Sequence, residues 1–243
     1  MNYCRTWLAG VATAFVALPA MAADFASFQS LGFSEDGGVY AFEEYGISDS
    51  SGLAYSSVFF IDTVKDTFLP DTPIRIGVKR DTASIAAVRR EAMEKAAPLL
   101  SQHGLLDRPG ELAAFSPISE IDAPKDEVRY FEHPADPAFG KPYTLKIEEF
   151  FATPTRYCVD LVDALKAFRL KYTEKDGEPA DEIVHEDSID IPESRQCTVD
   201  YRLGGVVTYS PPAGRLVHMA LVNVLSLGYE GNNGRWIAVP ARP

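Results

Sequence analysis

Acidic side chains gather around one serine- and glycine-rich segment near the start of the chain. Glu43, Glu44 and Asp49 precede the pair Ser51-Gly52, and carboxylate oxygens are the hard ligands that Ca²⁺ prefers. These three residues are therefore candidate metal ligands. Their spacing matches neither an EF-hand nor a calcium-binding repeat, so a solvated hairpin tip is the alternative interpretation.

A second group that could do chemistry is the tripeptide His185-Glu186-Asp187. An imidazole beside carboxylates is an arrangement typical of a general base. In an alternating strand, however, His185 and Asp187 share one face while Glu186 points to the other. An exposed polar strand edge is the interpretation that this alternation favours.

Motifs of several enzyme classes are absent from the sequence. It contains no GxSxG nucleophile elbow, no HExxH zinc motif, and neither of the glycine-rich nucleotide motifs. The four histidines, at positions 103, 133, 185 and 218, are too widely spaced to form a zinc signature. No cofactor is expected, and no residue can be assigned a catalytic role.

The N-terminus has the three parts of a cleavable export signal. Arg5 provides a positive charge, residues 7–18 form an apolar run, and Ala20-Met21-Ala22 supplies a small-x-small cleavage pattern. The apolar run is shorter than the roughly 20 residues that a transmembrane helix needs. Cleavage is therefore expected between Ala22 and Ala23, which gives a periplasmic or secreted protein with no membrane span.

Two cysteines, Cys158 and Cys197, remain after removal of this signal. In an oxidising compartment such a pair is more often bonded than free. The bond would close a loop of about 40 residues, worth roughly 3–4 kcal/mol in the chain-entropy model. The alternative, a reactive thiol, is supported by no CxxC motif and no histidine nearby in sequence, so a disulfide is predicted.

The chain is acidic, with a formal net charge of −12. The signal contains one of its 23 basic residues and none of its 35 acidic ones, so the mature protein has a charge of −13. Such a protein repels phosphate backbones and anionic membrane surfaces, which argues against binding to nucleic acid. A hydrophobic content of 46% is that of a globular protein rather than a disordered one.

Strands dominate the elements that must position these residues. Apolar runs and period-two alternation predict them over 39–44, 58–61, 143–148, 167–172 and 235–239, with a hairpin over 206–224. The Pro-, Asp- and Gly-rich residues 105–142 are expected to form connections and short edge strands.

One helix, at about residues 82–104, interrupts the β pattern. Its apolar face consists of five residues at helical spacing: Ile85, Val88, Ala92, Ala96 and Leu99. Asp81 is a plausible N-cap and Gly104 a natural stop. Pro98 is expected to distort the helix or end it early, because proline removes one backbone hydrogen bond. Residues 23–243 are thus predicted to form a single mainly-β domain with a helical insertion.

The turn Phe33-Ser34-Glu35-Asp36-Gly37, followed by Tyr40-Ala41-Phe42, resembles the blade signature of TolB-like propellers. In that signature an aromatic-Ser-Pro-Asp-Gly turn precedes a strand, and here Glu35 stands where proline is usual. The resemblance implies propeller-like blades, of which the mature length allows about five. Because the helix uses part of that length, an antiparallel β-sandwich is the alternative fold.

A second resemblance covers nearly the whole chain. Gly32-Phe33-Ser34 with Ala41-Phe42-Glu43-Glu44-Tyr45-Gly46, and Gly228-Tyr229-Glu230-Gly231 with Arg235-Trp236-Ile237-Ala238-Val239, are similar to a family of predicted secreted bacterial proteins. That family is catalogued only as a domain of unknown function. The resemblance implies a Gram-negative periplasmic setting and carries no known activity or catalytic residue.

Residues 33–63 and 209–239 follow a similar plan: an aromatic-Ser pair, a turn ending in glycine, a strand, a glycine-containing loop and a closing strand. If they are copies of one unit, the fold is expected to pair them and to place Trp236 in a packed core. Chance similarity between two hairpins is the alternative.

Two functions are compatible with these observations. The leading hypothesis is a non-catalytic periplasmic binding or scaffolding module, with an envelope protein or a glycan as partner. The alternative is a hydrolase of envelope carbohydrate or peptide that uses paired carboxylates. Facing carboxyl groups in a pocket would favour the enzyme, and a groove lined by aromatic residues would favour the binder.

Overall fold

A computed structural model describes residues 23–48, 50–77, 83–229 and 231–243. Within these ranges the chain forms thirteen strands and one α-helix, so the predicted mainly-β fold with one long helix is confirmed. The elements are β1 Ser27–Phe33, β2 Val39–Ile47, β3 Ala54–Asp62, β4 Thr67–Phe68, β5 Ile74–Gly77, α1 Ile85–His103, β6 Glu111–Phe115, β7 Glu127–Tyr130, β8 Tyr143–Ala152, β9 Leu165–Lys175, β10 Glu178–Glu186, β11 Thr198–Tyr209, β12 Val217–Leu227 and β13 Asn232–Ala241.

The strands form three antiparallel sheets. The first sheet has the order β1-β2-β3-β4, with β5 also paired to β3. The second has the order β13-β12-β11-β6, and the third has the order β10-β9-β8-β7. The sheets stack face to face as in a β-sandwich, and the propeller-like blades that the turn at residues 33–37 suggested are not confirmed.

The second sheet lies between the other two. One of its faces forms an apolar core with the first sheet, and its other face forms a core with the third. Helix α1 covers the outer face of the first sheet. Because β12 is covered on both sides, all but its last residue are buried, whereas β9 alternates between buried and half-buried positions.

The predicted connections and turns agree with the structure. Residues 105–142 contribute β6 and β7, which are edge strands of the second and third sheets. Asp176 and Gly177 join β9 to β10 with φ angles of 52° and 75°, the left-handed conformation that a two-residue hairpin turn requires.

Helix α1 begins after Ser84, whose hydroxyl accepts a hydrogen bond from the Ala87 amide at 3.2 Å. The suggested cap Asp81 lies outside the described residues. Gly104 ends the helix in the left-handed conformation, as expected, and its amide donates to the carbonyls of the last turn.

Pro98 does not end the helix early, so this one of the two expected alternatives is wrong. The helix continues to His103. Because proline has no N–H, the carbonyl of Glu94, four residues earlier, has no helical partner. Both residues are exposed, so water can satisfy this carbonyl. The buried face ends in Leu100, whereas the predicted Leu99 is half-buried.

The predicted disulfide between Cys158 and Cys197 is confirmed, with their Cα atoms 5.5 Å apart. It connects the loop after β8 to the residue before β11 and lies in a small apolar cluster with Leu165 and Ile191. No helix among the described residues is long and apolar enough to cross a membrane. The predicted signal and the bond between Ala22 and Ala23 involve residues 1–22, which lie outside the described ranges.

The hairpins at residues 33–63 and 209–239 belong to different sheets and do not pair strand to strand. They stack instead, with the rings of Phe33 and Tyr209 4.9 Å apart. Each hairpin has apolar residues on both faces, and stacking buries one face of each hairpin against the other, which pairing edge to edge would not do. Trp236 does lie in this core as predicted: it is 8% exposed, and its indole N–H donates to the Ala26 carbonyl at 2.8 Å.

Candidate functional site: a cleft between the first and second sheets

The alternation of β2 sends its two adjacent glutamates to opposite faces of the first sheet. Glu43 faces helix α1, where Arg89 donates to its carboxylate from Nε at 3.0 Å and from Nη2 at 2.8 Å. The Ser56 hydroxyl donates to the same carboxylate at 2.8 Å. Glu43 is 1% exposed and Arg89 34% exposed, so the ion pair joins the helix to the sheet and the carboxylate itself is closed to solvent.

Glu44 points instead toward the second sheet and shares its face with two other polar residues. In the strand register, Glu44 lies opposite Ser57 of β3, and Ser57 lies opposite Arg75 of β5. Neighbouring strands are about 4.8 Å apart. Glu44, Ser57 and Arg75 therefore form one polar row across three strands.

An aromatic row runs beside this polar row. Phe42 lies opposite Phe59, and their rings stack with centroids 4.6 Å apart and planes 6° from parallel. Phe59 also contacts Phe68, with ring centroids 5.8 Å apart. Phenylalanine faces of this kind pack against flat apolar groups.

These rows form the floor of a cleft of about 550 Å³. The cleft opens where β13, the edge strand of the second sheet, passes over the first sheet, and Trp236 and Ala238 line its opposite wall. Sites for small molecules are typically about 300–1,000 Å³, mostly apolar, with a few placed polar groups. The volume and lining of this cleft fit that description.

Glu44 is the most enclosed acid in the cleft, 7% exposed. Its Oε2 accepts from the Trp236 amide at 2.9 Å, while no described residue donates to Oε1. Burial raises the pKa of the Glu44 carboxyl, and the opposing influences of the Trp236 amide and of the Arg235 and Arg75 charges are smaller. The cleft floor therefore holds a carboxyl group with one oxygen unused.

The two arginines of the cleft differ in their partners. Arg235 donates to Asp24, and its guanidinium lies 4.7 Å from the centroid of the Tyr55 ring, whose hydroxyl also donates to Asp24. Arg75 lies 5.7 Å from the centroid of Phe59. No carboxylate of the described residues lies within 4 Å of Arg75, so its charge is the less compensated one.

His185 closes the end of the cleft nearest the third sheet. Its Nδ1 is 2.6 Å from a carboxylate oxygen of Asp66, which lies in the turn after β3, and its Nε2 is 3.1 Å from Asp187. Arg195 donates to the second oxygen of Asp187. The imidazole thus joins the first sheet to the third across the cleft.

The charge state of His185 follows from these contacts. Burial alone would lower its pKa, but the hydrogen bonds with Asp187 and Asp66 outweigh burial and raise the pKa from 6.5 to about 9. An imidazolium that donates from both nitrogens has no lone pair with which to act as a general base. The predicted exposed polar edge is also wrong for this residue, whose side chain is 17% exposed; only Glu186 points outward, to Arg169.

Residues 41–242 match the family described as "Predicted secreted protein (DUF2259)". The chain belongs to this family. No curated protein and no solved structure matches it. The match includes all of β3 to β13 and nearly all of β2, and therefore every cleft residue named above except Asp24. The export expected from the N-terminal residues agrees with membership of this secreted family, whose function is unknown.

In this DUF2259 protein two of the three candidate metal ligands, Glu43 and Glu44, do not converge. Glu43 and Glu44 face opposite sides of the sheet, and Asp49 lies outside the described residues. Among the residues that the structure does describe, no group of three His, Cys, Asp or Glu side chains is placed to hold a metal ion. A metal site that includes Asp49 stays a prediction.

No sequence pattern predicted Arg75, Tyr55 or the cleft role of Trp236. Period-two alternation in β2 already separates Glu43 from Glu44 and was the available signal for one buried acid on each face. The positions of Arg75 and Trp236 depend on strand register and sheet stacking, for which the sequence carried no comparable signal.

Proposed function

We propose that this protein is a non-catalytic binding protein of the extracytoplasmic space that holds a small ligand in the cleft. The observation that carries this proposal is the enclosed Glu44 carboxyl, with one unused oxygen, beside a wall of stacked phenylalanines. This oxygen is not among the buried side-chain atoms that lack a partner, so it is open to the cleft. A ligand that donates to Glu44 and covers the aromatic row would take the place of solvent there.

The alternative, a hydrolase with paired carboxylates, has less support. Such an enzyme needs two carboxyl groups about 5–10 Å apart, with the scissile bond between them. Of the described acidic residues that line the cleft, Glu44 lies on the floor and Asp66 at one end. Asp66 contacts His185 at 2.6 Å through one of its two carboxylate oxygens, so it takes part in the contact between the first and third sheets.

Trp236 provides the test of this proposal. It is the one tryptophan of the mature chain, because Trp7 belongs to the predicted signal, and it lines the cleft. We expect a saturable change in tryptophan fluorescence when a low-molecular-weight fraction of envelope extract is added. Native mass spectrometry of the same mixture should show a bound small molecule.

Two variants make the test specific to the cleft. Ser57→Phe fills the middle of the polar row and should abolish the fluorescence change. Ala97→Phe adds the same ring on an exposed position of α1, on the other side of the first sheet, and should bind like the original protein. Folding of both variants is checked by circular dichroism. If Ser57→Phe folds and still binds, or if no fraction binds the original protein, the proposal is wrong.

A further inference from the structure

Two groups that line the cleft carry opposite charges: Glu44, which is enclosed, and Arg75, whose side chain is exposed to solvent. Glu44 has an acceptor oxygen that no described donor reaches, and Arg75 has a guanidinium that no described carboxylate reaches. They stand at the two ends of the polar row, with Ser57 between them. Across two strand spacings their Cα atoms are about 10 Å apart, and both side chains are long enough to approach each other above Ser57.

A singly charged ligand would satisfy only one of these groups. An anion drawn to Arg75 would also face Glu44, and a cation drawn to Glu44 would also face Arg75 and Arg235. Like charges placed together in a cleft oppose binding. A ligand that carries both charges, a few ångströms apart, pairs each group with its opposite.

The chemistry of the two groups indicates which charges these are. Glu44 accepts hydrogen bonds, and an ammonium group supplies three donors on a compact cation. Arg75 presents a planar fork of donors that matches the two oxygens of a carboxylate. Phe42 and Phe59 are buried against each other, whereas Phe68, which contacts Phe59, is 51% exposed in the cleft lining and would take an apolar side chain.

We propose that the cleft binds a zwitterion of the amino-acid type, an α-amino acid or dipeptide with an aromatic side chain. Its ammonium group contacts Glu44, its carboxylate contacts Arg75, and its ring packs against Phe68, the exposed member of the aromatic row. This inference rests on the proposed function and adds the class of ligand. The cleft volume of about 550 Å³ is within the range of sites for molecules of this size.

Blocked ligands test each end of the zwitterion separately. The probes are phenylalanine, the dipeptide phenylalanyl-phenylalanine, phenylalaninamide, which lacks the carboxylate, and N-acetylphenylalanine, which lacks the ammonium group. Binding is measured by Trp236 fluorescence and by isothermal titration calorimetry. We expect phenylalanine or its dipeptide to bind about tenfold or more tightly than either blocked compound, the ratio typical of one lost charge-assisted hydrogen bond.

Two variants assign each charge to its residue. Glu44→Gln keeps an acceptor for the Trp236 amide and should remove the penalty of N-acetylation, while the penalty of amidation remains. Arg75→Gln should do the reverse. Arg90→Gln, at an exposed position of α1, is the matched control and should leave every ratio unchanged.

The outcomes separate this inference from the proposed function. If the four probes bind equally, if none binds, or if both variants change the same ratio, the zwitterion inference is wrong. A different envelope compound that Ser57→Phe excludes would then leave the cleft as the binding site. If Ser57→Phe folds and leaves all binding unchanged, the inference and the proposed function fail together.

Discussion

The end of the cleft and the core between the second and third sheets each hold one histidine, and the two have opposite pKa shifts. His185 lies between Asp66 and Asp187, and its pKa is raised to about 9. His218 of β12 is completely buried, and burial lowers its pKa to about 3. At neutral pH the first imidazole is charged and the second is neutral.

The partners of His218 are tyrosines rather than carboxylates. Its Nδ1 lies 2.7 Å from the Tyr130 hydroxyl and 2.9 Å from the Tyr172 hydroxyl, and the edge of its ring contacts Tyr143. Among the described residues, Nε2 has no hydrogen-bond partner. Neutral hydroxyls satisfy Nδ1 of a neutral imidazole but cannot offset the cost of burying an imidazolium.

Burial acts in the same direction on both histidines, so the carboxylates make the difference. Asp66 reaches His185 from the first sheet, and Asp187 reaches it from the segment just after β10. Two apolar sheet faces enclose His218, and among the described residues the charge of Asp176 raises its pKa by less than burial lowers it. The comparison indicates that packing between sheets decides which histidine carries charge.

The largest effect that we expect is a loss of stability in acid that comes from His218. Its folded-state pKa of about 3 is below the unfolded value of 6.5, so its neutral form stabilises the fold above pH 6.5. That contribution is lost as the pH falls from 6.5 toward 3. Between pH 7 and pH 4.5 the loss is about 2–3 kcal/mol, at about 1.4 kcal/mol per pH unit below 6.5.

Urea unfolding of the original protein and of His218→Gln at pH 7 and pH 4.5 checks this prediction. Glutamine keeps an acceptor for the tyrosines and does not titrate, so the variant should be less stable at pH 7 but should lose less free energy in acid. Other groups titrate in both proteins, and the difference between them isolates His218. Equal losses would contradict the prediction.

The second effect has the opposite sign and comes from His185. Because its folded pKa of about 9 is above the unfolded value of 6.5, its charge stabilises the fold fully below pH 6.5. This contribution is lost as the pH rises through 9. Allowing for partial exposure, we expect the loss to be about 1–2 kcal/mol. Urea unfolding at pH 6 and pH 9.5 measures it, and His185→Gln should flatten the dependence; an unchanged slope would count against the two-carboxylate interpretation.

Asp66→Asn tests the difference between the two histidines more directly, because it removes one of the two carboxylates beside His185. We expect the pKa of His185 to fall by about one unit, the size of one lost charge partner. Histidine NMR titration measures this. Asp71→Asn, in an exposed turn with a similar positive φ, is the matched control. If both variants leave the pKa of His185 near 9, Asp66 is not a determinant.

The smallest effect is expected from Tyr172→Phe, which removes a hydroxyl beside His218. Because burial lowers the pKa of His218, the pKa should stay low, while the free energy of unfolding falls by about 0.5–1.5 kcal/mol through the lost hydrogen bond. Tyr157→Phe, at an exposed position, should change neither quantity. A large rise in the pKa of His218 would show that the hydroxyl, and not burial, controls it.

Several features of the fold could be predicted from local sequence. The strands within 143–148 and 167–172 follow from alternation, and the end of α1 follows from Gly104, which takes a left-handed conformation at little cost. The disulfide follows from the two cysteines left after processing. In each case neighbouring residues, or a count of residues, contain the information.

Other features depended on tertiary structure alone. The hairpins at 33–63 and 209–239 could be recognised in the sequence. Whether they would pair edge to edge or stack face to face depended on the second sheet, which packs against the first sheet on one face and against the third on the other. Pro98 lies on the exposed side of α1, and that exposure allows the helix to continue past it.

The cleft shows most clearly which features local sequence determines and which depend on packing. Alternation in β2 determined that Glu43 and Glu44 face opposite sides of the sheet. Packing decided their partners. Helix α1 brought Arg89 to Glu43, and the stacking of the sheets placed Glu44 in a cleft with Arg75 and Trp236. His185 and Asp66 are 119 residues apart in the chain. No local pattern encodes such a contact, because it forms only where two separate sheets come together.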